Sequence, residues 1–355
     1  MSESFIYYSS NASKMKKYFT SAKHKRRNSI RSKSAVDRQR KRKNKKYVPG
    51  RNFSTSIHAK PKQIINLTAP NNFSFIENTD ETIEYFRNAH KELKSGNAIN
   101  FDISKITSLT TDAIAVQIAK IRDHRFHFSR GIIGNEPSDG SLSKLFQQSG
   151  FYEHVKPTRF TPERSDNLLV HKITQNKVEP KLAKEACLIG LKHTFGNEEI
   201  FEPLYDILIE IMQNTNNHAG EKKGKYDWWL LVYKHPETKV TSYTFLDLGV
   251  GIFESLPVQT FKRTILEFIN LASNIDLVEK LFRGEIKSRT SRPERGKGIP
   301  QVYECSQDAA FSKFILISND IFADLKTNSW RLLKSPFDGT MFYWELTNKN
   351  ENNGN

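Results

Sequence analysis

A carboxylate and a carboxamide lie four residues apart in the segment ILIEIMQNTNNHA, residues 207 to 219: Glu210 and Asn214. Residues at this spacing project from the same face of a helix, while Ile211 and Met212 have the spacing of a buried face. Polar side chains flanked by large apolar residues are better placed to meet a ligand than to form a solvated face. An ordinary amphipathic helix with a polar edge explains the segment equally well.

Two strand ends carry the next candidates. The apolar run KVTSYTFLDL is followed by GVGI, so Asp247, Gly249 and Gly251 form a DxGxG pattern. A carboxylate at the end of a buried strand is unfavourable unless it has a partner, and glycines at this spacing allow a ligand or a backbone to come close. The final strand, FDGTMFYWELT, is entered through Gly339 and Thr340.

A third pattern, RGKGIPQV, places Gly296 and Gly298 at the start of a predicted helix, with Arg295 and Lys297 adding positive charge. The first amides of a helix have no partner within the helix, so this end suits a phosphate group. A flexible basic loop is the alternative interpretation of this pattern.

The composition indicates a folded protein outside the membrane. The chain has 355 residues, of which 37% are hydrophobic and 24 are Phe, enough for real cores. The sequence has neither an apolar run of membrane-spanning length nor the pattern of a secretory signal. Cys187 and Cys305 belong to no Cys/His cluster, so we expect free thiols in a reducing compartment and a cytoplasmic location.

All of the net charge of +16 lies in residues 1–60, which hold 18 of the 55 basic residues and 2 of the 39 acidic ones. Few aliphatic side chains occur there, so we expect a disordered tail. Residues 14–51 could bind nucleic acid or another polyanion, because each neutralised phosphate releases counterions. The alternatives are a solvated arm with no specific role and, less favoured, an organelle transit peptide.

Residues 61–175 alternate strands and helices, which indicates an α/β unit with parallel strands. We expect strands at QIINLTAP, AINFDIS and FSRGIIGNEP, a helix beginning with Thr79 or Asp80 as its N-cap, and NLLVHKIT closing the unit. The segments INFDISKITSLTTDAIAVQIAKI and KLFQQSGFYEHV resemble the STAS domain, the sulfate-transporter and anti-sigma-antagonist family. Where that family has a regulatory serine, this chain offers Thr110 and Thr111, which either accept phosphate or cap the helix near Asp112.

The second half contains further elements around the polar patterns. KVEPKLAKEACLIGLKHTFG predicts a helix closed by Gly196, and WWLLVYKH and KVTSYTFLDL predict two strands. Residues 252 to 294 are polar and helical, and SKFILISND and IFADLKT predict a pair of strands before the last one.

The order of these motifs resembles the GHKL ATP-binding fold, the superfamily of gyrase, a heat-shock chaperone, histidine kinases and mismatch-repair ATPases. The order is a helix with ExxxN, a strand with DxGxG, a variable lid, GxG opening a helix, and Gly-Thr before a terminal strand. The resemblance covers about residues 180 to 348. The two resemblances together imply an α/β fold, with a STAS-like domain (61–175) and then a GHKL-type α/β sandwich (176–348) whose mixed sheet is covered by helices on one face. We expect a disordered tail before these domains and a disordered C-terminus (349–355) after them.

The same resemblance implies roles for individual residues. Asn214 would hold Mg²⁺ against the phosphates of ATP, and Glu210 would orient or deprotonate the attacking water. Asp247 would accept a hydrogen bond from the adenine amino group. Asn217 and His218 complete the first motif. The other implied nucleotide-binding residues are Gly249, Gly251, Arg295, Gly296, Lys297, Gly298 and Thr340. The chain departs from the family at Ile299 and Pro300, where Gly-Leu is usual.

These roles imply an ATP-binding regulatory switch that hydrolyses ATP slowly beneath a lid of roughly residues 252 to 298. Its output would pass to a protein partner through the STAS-like domain or to nucleic acid through the tail, and a homodimer is compatible with the family. One alternative is an anti-sigma-like serine/threonine kinase acting on a STAS-domain partner. Another is a non-catalytic interaction protein tethered to nucleic acid.

Overall fold

A computed structural model describes residues 61–123, 131–155, 165–173, 178–218, 227–256, 274–286 and 298–348. The basic tail, the C-terminus after residue 348 and much of the predicted lid lie outside the described residues. The helices are α1 Thr79–Lys94, α2 Thr111–Arg122, α3 Gly140–Gln148, α4 Phe151–His154, α5 Pro180–Phe195, α6 Glu202–His218, α7 Ile252–Ser255, α8 Asn274–Phe282 and α9 Gly298–Ser306. The strands are β1 Ile64–Thr68, β2 Asn72–Phe73, β3 Ala98–Asp102, β4 Ser108–Leu109, β5 Ile132–Gly134, β6 Leu168–Ile173, β7 Asp227–Lys234, β8 Thr241–Asp247, β9 Phe311–Asp324 and β10 Ser329–Leu346.

The first sheet confirms the predicted parallel α/β pattern. Strands β1, β3 and β5 pair in parallel in that order, and β2 pairs in parallel with β4. Helix α1 begins at Thr79, but its N-cap is Asn78, so the prediction of Thr79 or Asp80 as the cap is wrong. The reason is that the Thr79 hydroxyl donates instead to the carbonyl of Phe75, at 2.6 Å.

The second sheet has the order β6-β7-β8-β10-β9, and each neighbouring pair is antiparallel. The expected mixed sheet is therefore wrong among the described strands. The expectation that the strand in NLLVHKIT closes the first unit is also wrong, because β6 pairs with β7 from Leu168 opposite Val232 to Ile173 opposite Asp227. By hydrogen bonding, β6 belongs to the sheet of the second half.

Both faces of the second sheet are buried: the described helices after residue 176 pack on one face, as expected, and the other face packs against the first half of the chain. Along β7, Trp228 and Leu230 point into a core formed with helices α5, α6, α8 and α9. Trp229 and Leu231 point to the opposite side, into a core shared with α1, α2 and the first sheet. The continuous apolar run WWLLVY follows from this, since alternate residues of a strand face opposite sides.

Polar contacts join the first layer, which consists of β1–β5 and α1–α4, to the second sheet. The Thr111 and Ser242 hydroxyls lie 3.1 Å apart, and the Lys120 ammonium lies 2.9 Å from the Asp338 carboxylate. Asp80 accepts from Arg331 at 2.9 Å and from the Lys334 amide at 2.8 Å. The chain from residue 61 onward accordingly forms one compact unit.

The strands at the end of the chain are longer than predicted. SKFILISND and IFADLKT form one strand, β9, of 14 residues, and the expectation of a strand pair there is wrong. Close to the predicted boundary between them, Asn319 adopts a left-handed conformation with φ of 53°, and the register with β10 shifts there. Among the described helices, none combines the length and apolar character needed to cross a membrane.

Candidate functional site

Helix α6 presents Glu210 and Asn214 to the first residue of α9. A Cβ placed on Gly298 would lie 2.8 Å from Glu210 Oε2 and 2.9 Å from both terminal atoms of the Asn214 amide. A side chain larger than glycine at this position would force Glu210 and Asn214 to shift. The ExxxN motif and the second glycine of the GxG motif are therefore in contact.

The Asn214 side chain has a hydrogen-bond donor without a partner among the described residues. This donor, Nδ2, is shielded from solvent. Glu210 lies beside it, half-buried, and its pKa is raised by burial and then by the negative charge of Asp206. A buried polar group without a partner is uncommon in a folded protein, so this position is suited to a ligand.

Asp247 ends β8 and is 7% exposed. Its Oδ1 accepts from the Gly249 amide at 2.8 Å, and its Oδ2 accepts from the Thr215 hydroxyl at 3.2 Å. Burial raises the pKa of Asp247 to about 6, although both hydrogen bonds favour the charged form. The buried carboxylate predicted from the sequence is present, and at neutral pH it remains mainly an acceptor for an N–H group.

Thr340 lies directly opposite Asp247 on the neighbouring strand. It is buried, and its hydroxyl lies 3.2 Å from that of Ser318, which also donates to the Gly339 carbonyl at 3.0 Å. Gly339 has φ of 106°, and a Cβ there would overlap the carbonyl oxygen of Asp247. The Gly-Thr pair thus allows β10 to pass close to the end of β8.

Asn319 organises the turn that follows Asp247. Its Oδ1 accepts from the Phe253 amide at 3.0 Å, and its Nδ2 donates to the Val250 carbonyl at 2.9 Å. Gly251, with φ of 84°, packs against this side chain so closely that a Cβ would overlap it. The DxGxG glycine is therefore required by the turn itself, in addition to any ligand.

Thr215 connects the two parts of the site. It follows Asn214 in the chain, so α6 contacts Gly298 through Asn214 and Asp247 through Thr215. Asp247 in turn faces Thr340. Residues from all four predicted motifs are thereby brought together in one connected set of contacts.

Several predicted site residues lie wholly or partly outside the described part of the chain. Asn217 and His218 belong to α6, but their side chains are not among those described. Arg295, Gly296 and Lys297 lie wholly outside the described residues. The sequence interpretation did not assign site roles to Thr215, Ser318 or Asn319. Thr215 follows the motif asparagine directly and lies four residues after Ile211, a spacing that indicates only a buried position.

The two candidate phosphoacceptors occupy different environments. Thr111 is 2% exposed and is bonded to Ser242 across the layers. Thr110 is the N-cap residue of α2 by position, yet its side chain makes no capping hydrogen bond, so the expected cap is only partly correct. The buried Asp112 instead accepts from the Phe75 amide at 2.7 Å.

No protein-family model matches the chain, and no curated protein matches it. Oxygen ligands from Glu210 and Asn214 suit a hard cation. The positive end of α9, beginning at Gly298, suits an anion such as a phosphate. The buried carboxylate of Asp247 suits an amino group.

Proposed function

We propose that the chain is an ATP-binding protein of the GHKL type that hydrolyses ATP slowly and acts as a regulatory switch. The observation that carries the proposal is the linked contact set from Gly298 through Asn214, Thr215 and Asp247 to Thr340. These residues come from four separate segments, and all except Thr215 are residues that the GHKL resemblance assigns to the nucleotide.

The base of the nucleotide would bind at Asp247. Its carboxylate is buried and already oriented by Gly249 and Thr215, so it can accept from an amino group without rearranging. Thr340, on the facing strand, supplies a second hydrogen-bonding group at the same place. A base without an exocyclic amino group would cover the Asp247 carboxylate without donating a hydrogen bond to it, which is costly.

The phosphates would bind between α6 and the start of α9. Bound Mg²⁺ would neutralise phosphate charge next to Asn214. The amides at the beginning of α9 would donate to the phosphate oxygens. Glu210, whose pKa is raised by burial, would orient the attacking water and accept its proton.

Hydrolysis is favoured over phosphate transfer to Thr111. Thr111 is buried and hydrogen-bonded to Ser242, so its hydroxyl does not reach solvent or a nucleotide without opening the interface. A kinase acting on a separate STAS-domain partner is the second candidate. The basic residues 14–51 would tether either protein to nucleic acid or another polyanion.

Nucleotide binding is tested by calorimetry with Mg-ATP on the wild type, on Asp247→Asn and on Asp112→Asn. Asp112 is the matched control because it is also a buried carboxylate and has the same raised pKa, about 6, but lies in the first layer. We expect Asp247→Asn to weaken binding at least tenfold and Asp112→Asn to leave it unchanged. Absence of saturable binding in the wild type would contradict the proposal.

Turnover separates the two candidate activities. We expect the wild type to release free phosphate from radiolabelled ATP and Glu210→Ala to bind ATP without releasing it. Label on the protein or on an added STAS-domain protein, with no free phosphate, would favour the kinase. Deleting residues 1–60 should abolish salt-sensitive binding to nucleic acid, and unchanged binding would exclude the tail as the tether.

A further inference from the structure

Helices α6 and α9 contact each other through one face of each helix. On α6, Asp206, Glu210 and Asn214 recur every four residues and so share one face. On α9, Gly298 and Gln301 lie one turn apart on one face. Gly298 contacts Glu210 and Asn214, while Gln301 contacts Asp206. The two helices thus run in opposite directions at this contact.

The contact between Asp206 and Gln301 is a hydrogen bond of 3.1 Å from the Gln301 amide nitrogen to Oδ2 of the carboxylate. It lies one helical turn away from the Gly298 contact on both helices. A bond to a charged acceptor is stronger than one between neutral groups. Its removal would therefore free the first turn of α9 to move relative to α6.

The charge of Asp206 affects titratable groups on both α6 and α9. The charge of Asp206 contributes to the raised pKa of Glu210, and it contributes, after burial, to raising the pKa of Cys305 to about 11. Cys305 lies one turn beyond Gln301 on α9. The carboxylate of Asp206 is thus near groups on both helices.

We propose that Asp206 and Gln301 are positioning residues, whose hydrogen bond holds the start of α9 against Glu210 and Asn214. The inference rests on the proposed function, since the position of α9 matters most if its first amides bind phosphate. Displacement of about 1 Å at a reacting group can cost on the order of a hundredfold in rate. Neither residue touches the reacting atoms, and both act through Gly298.

The variants separate the hydrogen bond from the charge. Asp206→Ala and Gln301→Ala both remove the bond, whereas Asp206→Asn removes the charge but retains an acceptor oxygen. We expect the two alanine variants to weaken ATP binding about tenfold and to raise KM more than they lower kcat. Asp206→Asn should restore most of the affinity.

Tyr303→Phe is the matched control on the same helix. Tyr303 donates to Asn328 at 2.6 Å and stacks on Phe282, on the side of α9 away from α6. The variant removes a hydrogen bond of α9 without altering the contact between Asp206 and Gln301. We expect its ATP affinity to equal that of the wild type, and an equal loss in Tyr303→Phe would mean that the effect is general destabilisation of α9.

A readout without nucleotide keeps this inference separate from the proposed function. We expect backbone amide hydrogen exchange in residues 298–306 to be at least fivefold faster in Asp206→Ala and Gln301→Ala than in the wild type, and near the wild-type rate in Asp206→Asn. If the wild type fails to bind ATP but exchange changes in this way, the positioning role stands and the proposed function fails. Unchanged exchange in both alanine variants overturns the inference, whatever the affinity for ATP.

Discussion

Lys120 and Asp338 form an ion pair of 2.9 Å that joins α2 of the first layer to β10, immediately before Gly339 and Thr340 of the candidate site. The two partners are unequal in their exposure. The side chain of Lys120 is 10% exposed and that of Asp338 is 46% exposed. The ion pair is thus a direct link between the first layer and the part of β10 that faces Asp247.

Removing the two partners should have unequal effects on stability. Asp338→Ala leaves a nearly buried ammonium group without its carboxylate, and we expect the free energy of unfolding to fall by about 2 kcal/mol. Lys120→Met fills the same volume with an apolar chain and leaves an aspartate that water can solvate, so we expect a loss below about 1 kcal/mol. Urea unfolding of both variants measures this difference, and equal losses would contradict it.

Gly298→Ala should disturb the contact between α9 and α6, because the added methyl group would lie 2.8 Å from Glu210 Oε2 and force the Glu210 and Asn214 side chains to shift. We expect lower thermal stability and at least tenfold weaker ATP binding. Gly140→Ala is the control, since Gly140 lies in α3 and a Cβ there meets nothing within 4 Å. A Gly→Ala change in an open helix position stabilises by roughly 0.5–1 kcal/mol. A stabilised Gly298→Ala protein with normal ATP binding would show that the contact is not tight.

The stability of the nucleotide-free protein should fall as pH rises from about 4 to about 6. Burial raises the pKa of Asp247 and of Asp112 from 3.8 to about 6 in the folded protein. Between these values the folded state binds more protons than the unfolded state, so the free energy of unfolding decreases with pH and levels off above the folded pKa.

Each Asp→Asn variant should therefore gain stability relative to the wild type across that window, by up to roughly 3 kcal/mol. Urea unfolding at pH 4, 5, 6 and 7 measures the change for Asp247→Asn, Asp112→Asn and the double variant. The double variant should have the flattest profile. Profiles parallel to that of the wild type would mean that neither carboxyl has a raised pKa.

Asn319 should be essential for the turn after Asp247. Asn319→Ala loses the side-chain bonds to Val250 and Phe253 and places alanine at φ of 53°, so we expect a loss of about 2–3 kcal/mol. Asn319→Gly relieves the backbone strain but not the lost bonds, and should recover about 1 kcal/mol of that loss. Calorimetric unfolding distinguishes the variants. If Asn319→Gly equals the wild type, the side-chain bonds contribute nothing.

Local patterns in the sequence were sufficient for most elements. Helix α5 ends at Gly196 with φ of 71°, as predicted, because a left-handed residue after a helix favours glycine. Helix α1 buries Ile83, Phe86 and Leu93, which have the 3.6-residue spacing of one helix face. The polar residues of the site were found because carboxylates and amides in apolar surroundings are unusual.

Long-range pairing was the part that local patterns did not determine. Nothing in NLLVHKIT specifies β7 as its neighbour, because strands of either half offer the same alternation. The run WWLLVY did carry a usable signal, since an antiparallel strand with one solvated face alternates apolar and polar residues. The site role of Asn319 was hidden because its left-handed φ and its contacts depend on the fold around Gly251.

The pairing of β6 with β7 has a consequence for any attempt to divide this protein. Cutting the chain near residue 175, the boundary predicted from the sequence, would keep β6 on a fragment that lacks β7. The first layer would then lose Trp229, Leu231 and Met341 from its core, and the sheet would expose those side chains to water. The two fragments are therefore expected to be insoluble when expressed separately and to recover a fold only when co-expressed.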